Sequence, residues 1–271
     1  MYVIGLGPGD PDHLSQKAAR ILKTVDTIAG YFVYIDLIRP ILSDHQQIIS
    51  SGMQKETERV QKAIQTVLNG KSCALVSSGD PGIYAMAGLV FEICMTNNIQ
   101  VLSANADIQN TDTSTQALRL EVIAGIPALS SGASLLGAPL MHDFATISLS
   151  DLLTPWSTIE ARIEAAAKAD FVIVIYNPKS KKRTSQIIKA QQIIMNHRSD
   201  TTPVGIVRGA MRDNQEVCIV PLKDLHNAKI DMQTTVFVGN SNTRIFGGFM
   251  VTPRGYKEKY CLSLDELLCK T

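Results

Sequence analysis

The sequence predicts an α/β protein built as two α/β domains in tandem. Three observations carry that expectation. Short β-branched apolar runs alternate with longer amphipathic segments along the chain. A length of 271 residues suits two compact domains better than one small module. The stretch 103–116, rich in Asn, Asp, Thr and Ser, breaks the rhythm near the midpoint. With almost no large apolar residues it cannot bury enough surface to order itself, and it reads as a flexible loop. The expected domains are therefore residues 1–118 and 119–271.

The elements follow in order. Strands are expected at 2–6, 27–30, 73–77 and 100–103 in the first half, each a short apolar run. Helices with longer, two-faced patterns are expected at 15–23, 57–68 and 88–95. The second half reads as strands at 121–124, 145–149, 171–176, 204–208, 216–220, 235–238 and 249–252. Its helices are expected at 129–136, 157–168 and 184–197. The runs Phe171-Val-Ile-Val-Ile and Val236-Phe-Val are apolar on both faces, as interior strands covered by helices require.

Composition narrows the class of function. Lys plus Arg number 26 against 25 Asp plus Glu, a net charge of +1, so no basic field favours nucleic acid. The five cysteines are scattered without a C-x-x-C pair, which argues against disulfides and zinc knuckles and for a reducing cytosol. The five histidines show no H-x-x-x-H or H-E-x-x-H spacing, so no metal site is expected. No apolar run approaches the ~18–20 residues needed to span a bilayer. The expected protein is cytoplasmic, with no membrane and no nucleic-acid partner.

Glycine-bearing turns end three of the expected strands. The first reads Gly5-Leu6-Gly7-Pro8-Gly9-Asp10-Pro11 and lacks both the dinucleotide fingerprint and the Gly-Lys-Ser/Thr of a phosphate loop. The second reads Ser77-Ser78-Gly79-Asp80-Pro81-Gly82-Ile83-Tyr84, and the third Ala124-Gly125-Ile126-Pro127-Ala128. Glycines there let backbone N–H and C=O groups approach a ligand closely. Asp80 precedes a proline and so is held extended. Its carboxylate is either an N-cap or a group at the ligand-binding end of the sheet.

These turns, with Tyr176-Asn177-Pro178, resemble the four loops of the tetrapyrrole methylase superfamily. Further stretches match, among them Gly30-Tyr-Phe-Val-Tyr34, Leu136-Gly-Ala-Pro-Leu-Met-His-Asp143 and Val251-Thr-Pro-Arg-Gly-Tyr256. With Ile147-Ser-Leu-Ser-Asp-Leu-Leu-Thr-Pro-Trp156, they look like the precorrin-3B / cobalt-factor III C17-methyltransferases of cobalamin biosynthesis. The resemblance implies two α/β domains with S-adenosylmethionine in the cleft between them. It also implies C17 methylation of a tetrapyrrole coupled to ring contraction, and a homodimer. Other precorrin positions such as C11 or C20 share the cofactor loops. An rRNA methyltransferase of the superfamily is disfavoured by the charge, and an idle tetrapyrrole-binding subunit is a further alternative.

Carried over by position, the resemblance implies that Gly7, Pro8, Gly9, Ser78, Gly79, Asp80, Ile83 and Tyr84 face the cofactor. So would Pro127 and Ala128, although relatives usually have Thr or Ser where this chain has Pro127. Tyr176, Asn177, Gly209, Ala210, Thr234 and Thr235 match cofactor-facing positions of the second domain. Ring contraction needs proton transfers, for which Asp80, His142 and Asp143 are the candidates, with Asp151 behind them. Acidic arms of a tetrapyrrole need cations and donors, and Arg183, Arg208, Arg254, Ser148 and Ser150 are candidates. Tyr31 and Tyr34 could line the macrocycle face. Each has a bland alternative: a hydrogen-bonded His–Asp pair, a solvated turn, a cap, or packing. A ligand-facing Asp80 implies that Asp80→Ala weakens binding with little change in melting temperature.

Overall fold

The structure is a computed structural model that describes residues 1–104 and 117–263. Most of the expected loop, residues 105–116, lies outside the described residues, and Ser103 closes a strand. The chain divides into two units, Met1–Ser131 with Met211–Asp213, and Gly132–Ala210 with Asn214–Thr271.

The first unit runs β1 (Tyr2–Gly5), α1 (Gln16–Thr24), β2 (Thr27–Tyr31), α2 (Phe32–Ile38), β3 (Gln47–Ser51) and α3 (Glu56–Leu68). It continues through β4 (Cys73–Ser77), α4 (Met86–Thr96), β5 (Gln100–Ser103) and β6 (Ala117–Ile123). The strands form one sheet in the order β3-β2-β4-β1-β6-β5, with every pairing parallel. Alternation along the strands divides the core in two. Val3, Leu75 and Leu118 pack with Val60 of α3 and Val90 of α4. Ile4, Val76 and Ile123 pack on the opposite face with Leu22 of α1 and Ile35 of α2. The helices following β1 and β4 thus lie on opposite faces.

The expected boundary after residue 118 falls inside β6. That strand pairs with β1 at Tyr2↔Glu121 and Val3↔Val122, so residues 119–123 are part of the N-terminal sheet. The unit ends at Ser131. Two elements of this unit were not expected. Phe32–Ile38 is rich in aromatic and β-branched residues, yet it is helical because Ile35 and Ile38 bury on one face of the sheet. Gln47–Ser51 is an edge strand, mostly exposed or half-buried, with little apolar pattern to mark it.

The second unit follows α5 (Ala128–Leu136), within which the division falls, and β7 (Gly137–Ala138). Then come β8 (Phe144–Ser148), α6 (Trp156–Lys168), β9 (Val172–Tyr176), α7 (Gln186–Met195), β10 (Pro203–Arg208), β11 (Glu216–Pro221) and β12 (Thr234–Val238). The chain closes through β13 (Arg244–Phe246), β14 (Phe249–Val251) and α8 (Tyr256–Lys259). The sheet order is β11-β10-β12-β9-β8, with only β8 and β9 parallel. Ile173, Ile175 and Val236 pack against Ile159 and Ile163 of α6 and Ile187 of α7. β9 and β12 are the interior strands that their two-faced apolar runs predict. β13, β14 and β7 form a small separate sheet.

Candidate active site

β1 and β4 are adjacent, parallel, and followed by helices on opposite faces, so a crevice opens beyond their carboxyl ends. The three glycine turns converge there. The Gly7 N–H donates to the Gly79 carbonyl at 3.1 Å, and the Gly79 N–H to the Gly7 carbonyl at 2.7 Å. Both residues have positive φ, +67° and +66°, which glycine adopts without strain. The third turn closes on the same point. A Cβ on Gly125 would lie 2.2 Å from the Gly79 oxygen, an impossible distance.

Asp80 ties two turns together. Its Oδ1 accepts from the Gly82 N–H at 2.8 Å and its Oδ2 from the Gly125 N–H at 3.2 Å. It does not cap α4, whose N-cap is Ala85. Of the cofactor-matched residues, Gly7, Gly79, Asp80, Pro127 and Ala128 are neighbours within this unit, since a Cβ on Gly79 would touch Pro127 Cα and Ala128 N at 3.7 and 3.8 Å. Tyr84 ends its turn at φ 52° and is half exposed. Tyr31 closes β2 and packs edge-on against Tyr34, with ring centroids 5.3 Å apart.

The residues of the second unit fall into two groups. Ser148, Tyr176, Arg208 and Thr234 end or begin their strands at one edge of the sheet, as the pairs Ser148↔Tyr176 and Arg208↔Thr234 show. Asn177, at φ 49°, is held from both sides. Its Nδ2 donates to the Ser148 hydroxyl at 2.9 Å, and its carbonyl accepts from Arg183 Nη2 at 2.8 Å. Arg183 also faces Asp151 at 3.8 Å, and Asp151 accepts from Gln186 Nε2 at 2.8 Å. Ser150 lies past the strand and its N–H donates to the Ser148 hydroxyl at 3.2 Å. Arg208 is paired with Asp231 at 2.6 Å and Glu216 at 3.3 Å. Gly209 turns at φ +54° and leads to Ala210, while Thr234 and Thr235 are buried.

His142 and Asp143 precede β8, at the end opposite Ser148, and a five-residue strand spans roughly 15 Å. The structure therefore does not bring them to the edge that carries Ser148 and Asn177. His142 Nδ1 accepts from the Asp143 N–H at 2.9 Å. With Arg254, Arg244, Lys257 and Glu258 it lines a separate cavity of about 160 Å³. Among the described residues no group of three or more His, Cys, Asp or Glu could hold a metal ion. No helix among them is long and apolar enough to cross a membrane.

The sequence profile of the tetrapyrrole (corrin/porphyrin) methylases matches residues 1–226. This chain belongs to that family. A cobalt-factor III methyltransferase of Priestia megaterium is 50% identical over 98% of this chain, which spans only 47% of that protein's length. A probable cobalt-factor III C(17)-methyltransferase of Salmonella typhimurium is 42% identical, over 94% of this chain and 99% of that one. The crystal structure of the methyltransferase CobJ matches with a TM-score of 0.81 at 31% identity, covering 93% of this chain and 98% of its own.

In this tetrapyrrole methylase the sequence pattern overlooked one residue of the N-terminal crevice. Arg212 belongs to the first unit, and its Nε donates to the Pro8 carbonyl at 2.5 Å. The signal in the sequence was slight: an arginine shortly after a strand-ending Gly209-Ala210, following Met211 at φ 56°. Arg244 and Lys257 were overlooked too. They join His142 and Arg254 in one cavity only through the fold of the small sheet and α8.

Proposed function

We propose that this chain is an S-adenosylmethionine-dependent C-methyltransferase of cobalamin biosynthesis. It methylates C17 of cobalt-factor III, or of its metal-free counterpart precorrin-3B, with contraction of the ring. The observation that carries the reading is the 42% identity with the Salmonella C17-methyltransferase over nearly the full length of both chains. The convergent turns at Gly7, Gly79 and Gly125 supply the backbone cradle that such a reaction needs.

S-adenosylmethionine, when bound, supplies a methyl group made electrophilic by its sulfonium. The protein's share is alignment and exclusion of water, and near-attack positioning can supply roughly 7–11 kcal/mol of the barrier. Gly7 and Gly79 offer bare backbone against which a ligand can lie, with Pro127 and Ala128 beside Gly79. Asp80 keeps those turns in register through Gly82 and Gly125. Asn177, locked between Ser148 and Arg183, presents a preset side chain and carbonyl at the edge of the second sheet. The same reading includes a homodimer in the cytoplasm, which light scattering of the purified protein tests.

The deciding experiment incubates the protein with methyl-labelled S-adenosylmethionine and, in parallel, cobalt-factor III and precorrin-3B. The expected product carries the label at C17 of a contracted ring. Label at C11 or C20 would move the reaction to another ring position. No label in either macrocycle would remove the reading.

A further inference from the structure

Arg212 sits at the Gly7-Pro8-Gly9 turn without a carboxylate of its own. Arg183, Arg198 and Arg208 face Asp151, Asp170 and Asp231, and buried Arg59, which has no ion pair among the described residues either, commits its Nη1 to the Ser51 hydroxyl at 2.6 Å. Arg212 has no ion pair among the described residues, and its one hydrogen bond to protein, from Nε to the Pro8 carbonyl, leaves the Nη groups uncommitted. The place is built for it. A Cβ on Gly9 would lie 3.0 Å from Nε and 3.6 Å from Cζ, with Leu37 3.2 Å away on another side. Burial pulls the guanidinium below its ordinary pKa, with only Tyr34 acting the other way.

A cation partly withdrawn from water and left without a counter-ion is a standing cost in free energy. An anion that docks on it removes that cost and gains a two-pronged hydrogen bond, because the free Nη edge matches the two oxygens of a carboxylate. We propose that Arg212 is a carboxylate receptor at the Gly7-Pro8-Gly9 turn and so helps decide which reactant is accepted. The assignment rests on the methyltransferase reading above. Two reactants carry that chemistry there: the methionine end of the cofactor and the acidic arms of the macrocycle.

Arg212→Gln and Arg212→Lys separate the possibilities. Calorimetry with S-adenosylhomocysteine gives the cofactor affinity, and steady-state kinetics with cobalt-factor III gives KM. Arg212→Gln is expected to weaken one of the two by about ten- to a hundredfold. Arg212→Lys, which keeps the charge but loses the Pro8 bond, is expected to recover part of the loss. If the cofactor supplies the carboxylate, the wild type binds decarboxylated S-adenosylmethionine as weakly as Arg212→Gln binds S-adenosylhomocysteine. If the macrocycle supplies it, only KM moves. Gln and Lys variants with equal losses would mean that Arg212 merely holds Pro8, and both constants within twofold of wild type would end the proposal outright. Should the wild type neither bind S-adenosylhomocysteine nor transfer a methyl group, the methyltransferase reading itself fails. Phenylglyoxal labelling of Arg212, mapped by mass spectrometry, then still decides this one: malonate slows it if Arg212 receives carboxylates and leaves it unchanged if not.

Discussion

Gly7 and Gly79 exchange two backbone hydrogen bonds, although they follow different strands and are far apart in sequence. The pair closes the tips of β1 and β4 into one surface. Gly125 then packs onto the Gly79 carbonyl so tightly that no side chain fits at any of the three meeting points without strain or collision. The crevice is thus a backbone structure first, and its side chains are fittings.

Gly125→Ala should cost stability near the upper end of the ~1–3 kcal/mol of an overpacked site, since the colliding atoms are backbone. Gly70→Ala is the control: it has φ +86° but nothing within 4 Å, so only the left-handed strain of ~1–2 kcal/mol applies. Urea unfolding of both variants checks the ranking, and a Gly70 variant hurt more than the Gly125 one would contradict it.

Asp80→Ala removes the acceptor for two N–H groups from different turns. A loss of about 2 kcal/mol is expected, together with weaker S-adenosylhomocysteine binding. This revises what the sequence suggests, that the melting temperature hardly moves. Unchanged melting with lost binding would restore the carboxylate as a direct ligand contact.

Arg183→Gln should loosen Asn177 and lower kcat/KM about tenfold, and Asp151→Asn should act in the same direction by freeing Arg183. The double variant should be little worse than either single one, because the residues form one network. A raised KM in the Arg183 variant alone, with Asp151→Asn harmless, would instead make Arg183 a substrate contact.

Asp231 predicts an acid limb in stability. Burial opposes its ionisation, but hydrogen bonds from Arg208, the Gln233 N–H and the Thr234 hydroxyl outweigh it and hold the carboxyl below its ordinary value. A depressed folded pKa gives stability that is complete above the unfolded pKa and lost as pH falls through the folded one. The urea midpoint of the wild type should therefore fall as pH drops through the carboxylate range. Asp231→Asn should lower the midpoint at neutral pH and flatten that fall. An unchanged slope would show that other carboxylates account for it.

Much of the fold is legible in the sequence because strand burial is local information. The runs Phe171-Val-Ile-Val-Ile and Val236-Phe-Val are apolar on both faces, and they fall in the interior strands β9 and β12. Phe32–Ile38 was not legible, since its residues favour strand in isolation and only packing of Ile35 and Ile38 makes the helix the better burial. The domain division was misplaced for a related reason. β6 follows a polar interruption in the chain yet completes the N-terminal sheet, and pairing with β1 is a long-range event that composition cannot register.

The candidate site divides along the same line. The glycine turns stand out in the sequence because glycine spacing records backbone approach directly, and Gly7, Gly79 and Gly125 do meet. Side-chain roles are less readable. Arg183 and Arg208 look like free cations in the sequence but face Asp151 and Asp231. His142 and Ser148 lie only six positions apart, yet β8 carries them to opposite ends of its sheet. Arg212 reaches the Gly7-Pro8-Gly9 turn from the other half of the chain. The sequence alone determined where backbone must be bare and where strands must be buried, since residue type and spacing state both. Which charges are paired, which ends of strands share an edge, and which distant arginine meets a turn were decided by tertiary structure, because each depends on distances that close only when the sheets assemble.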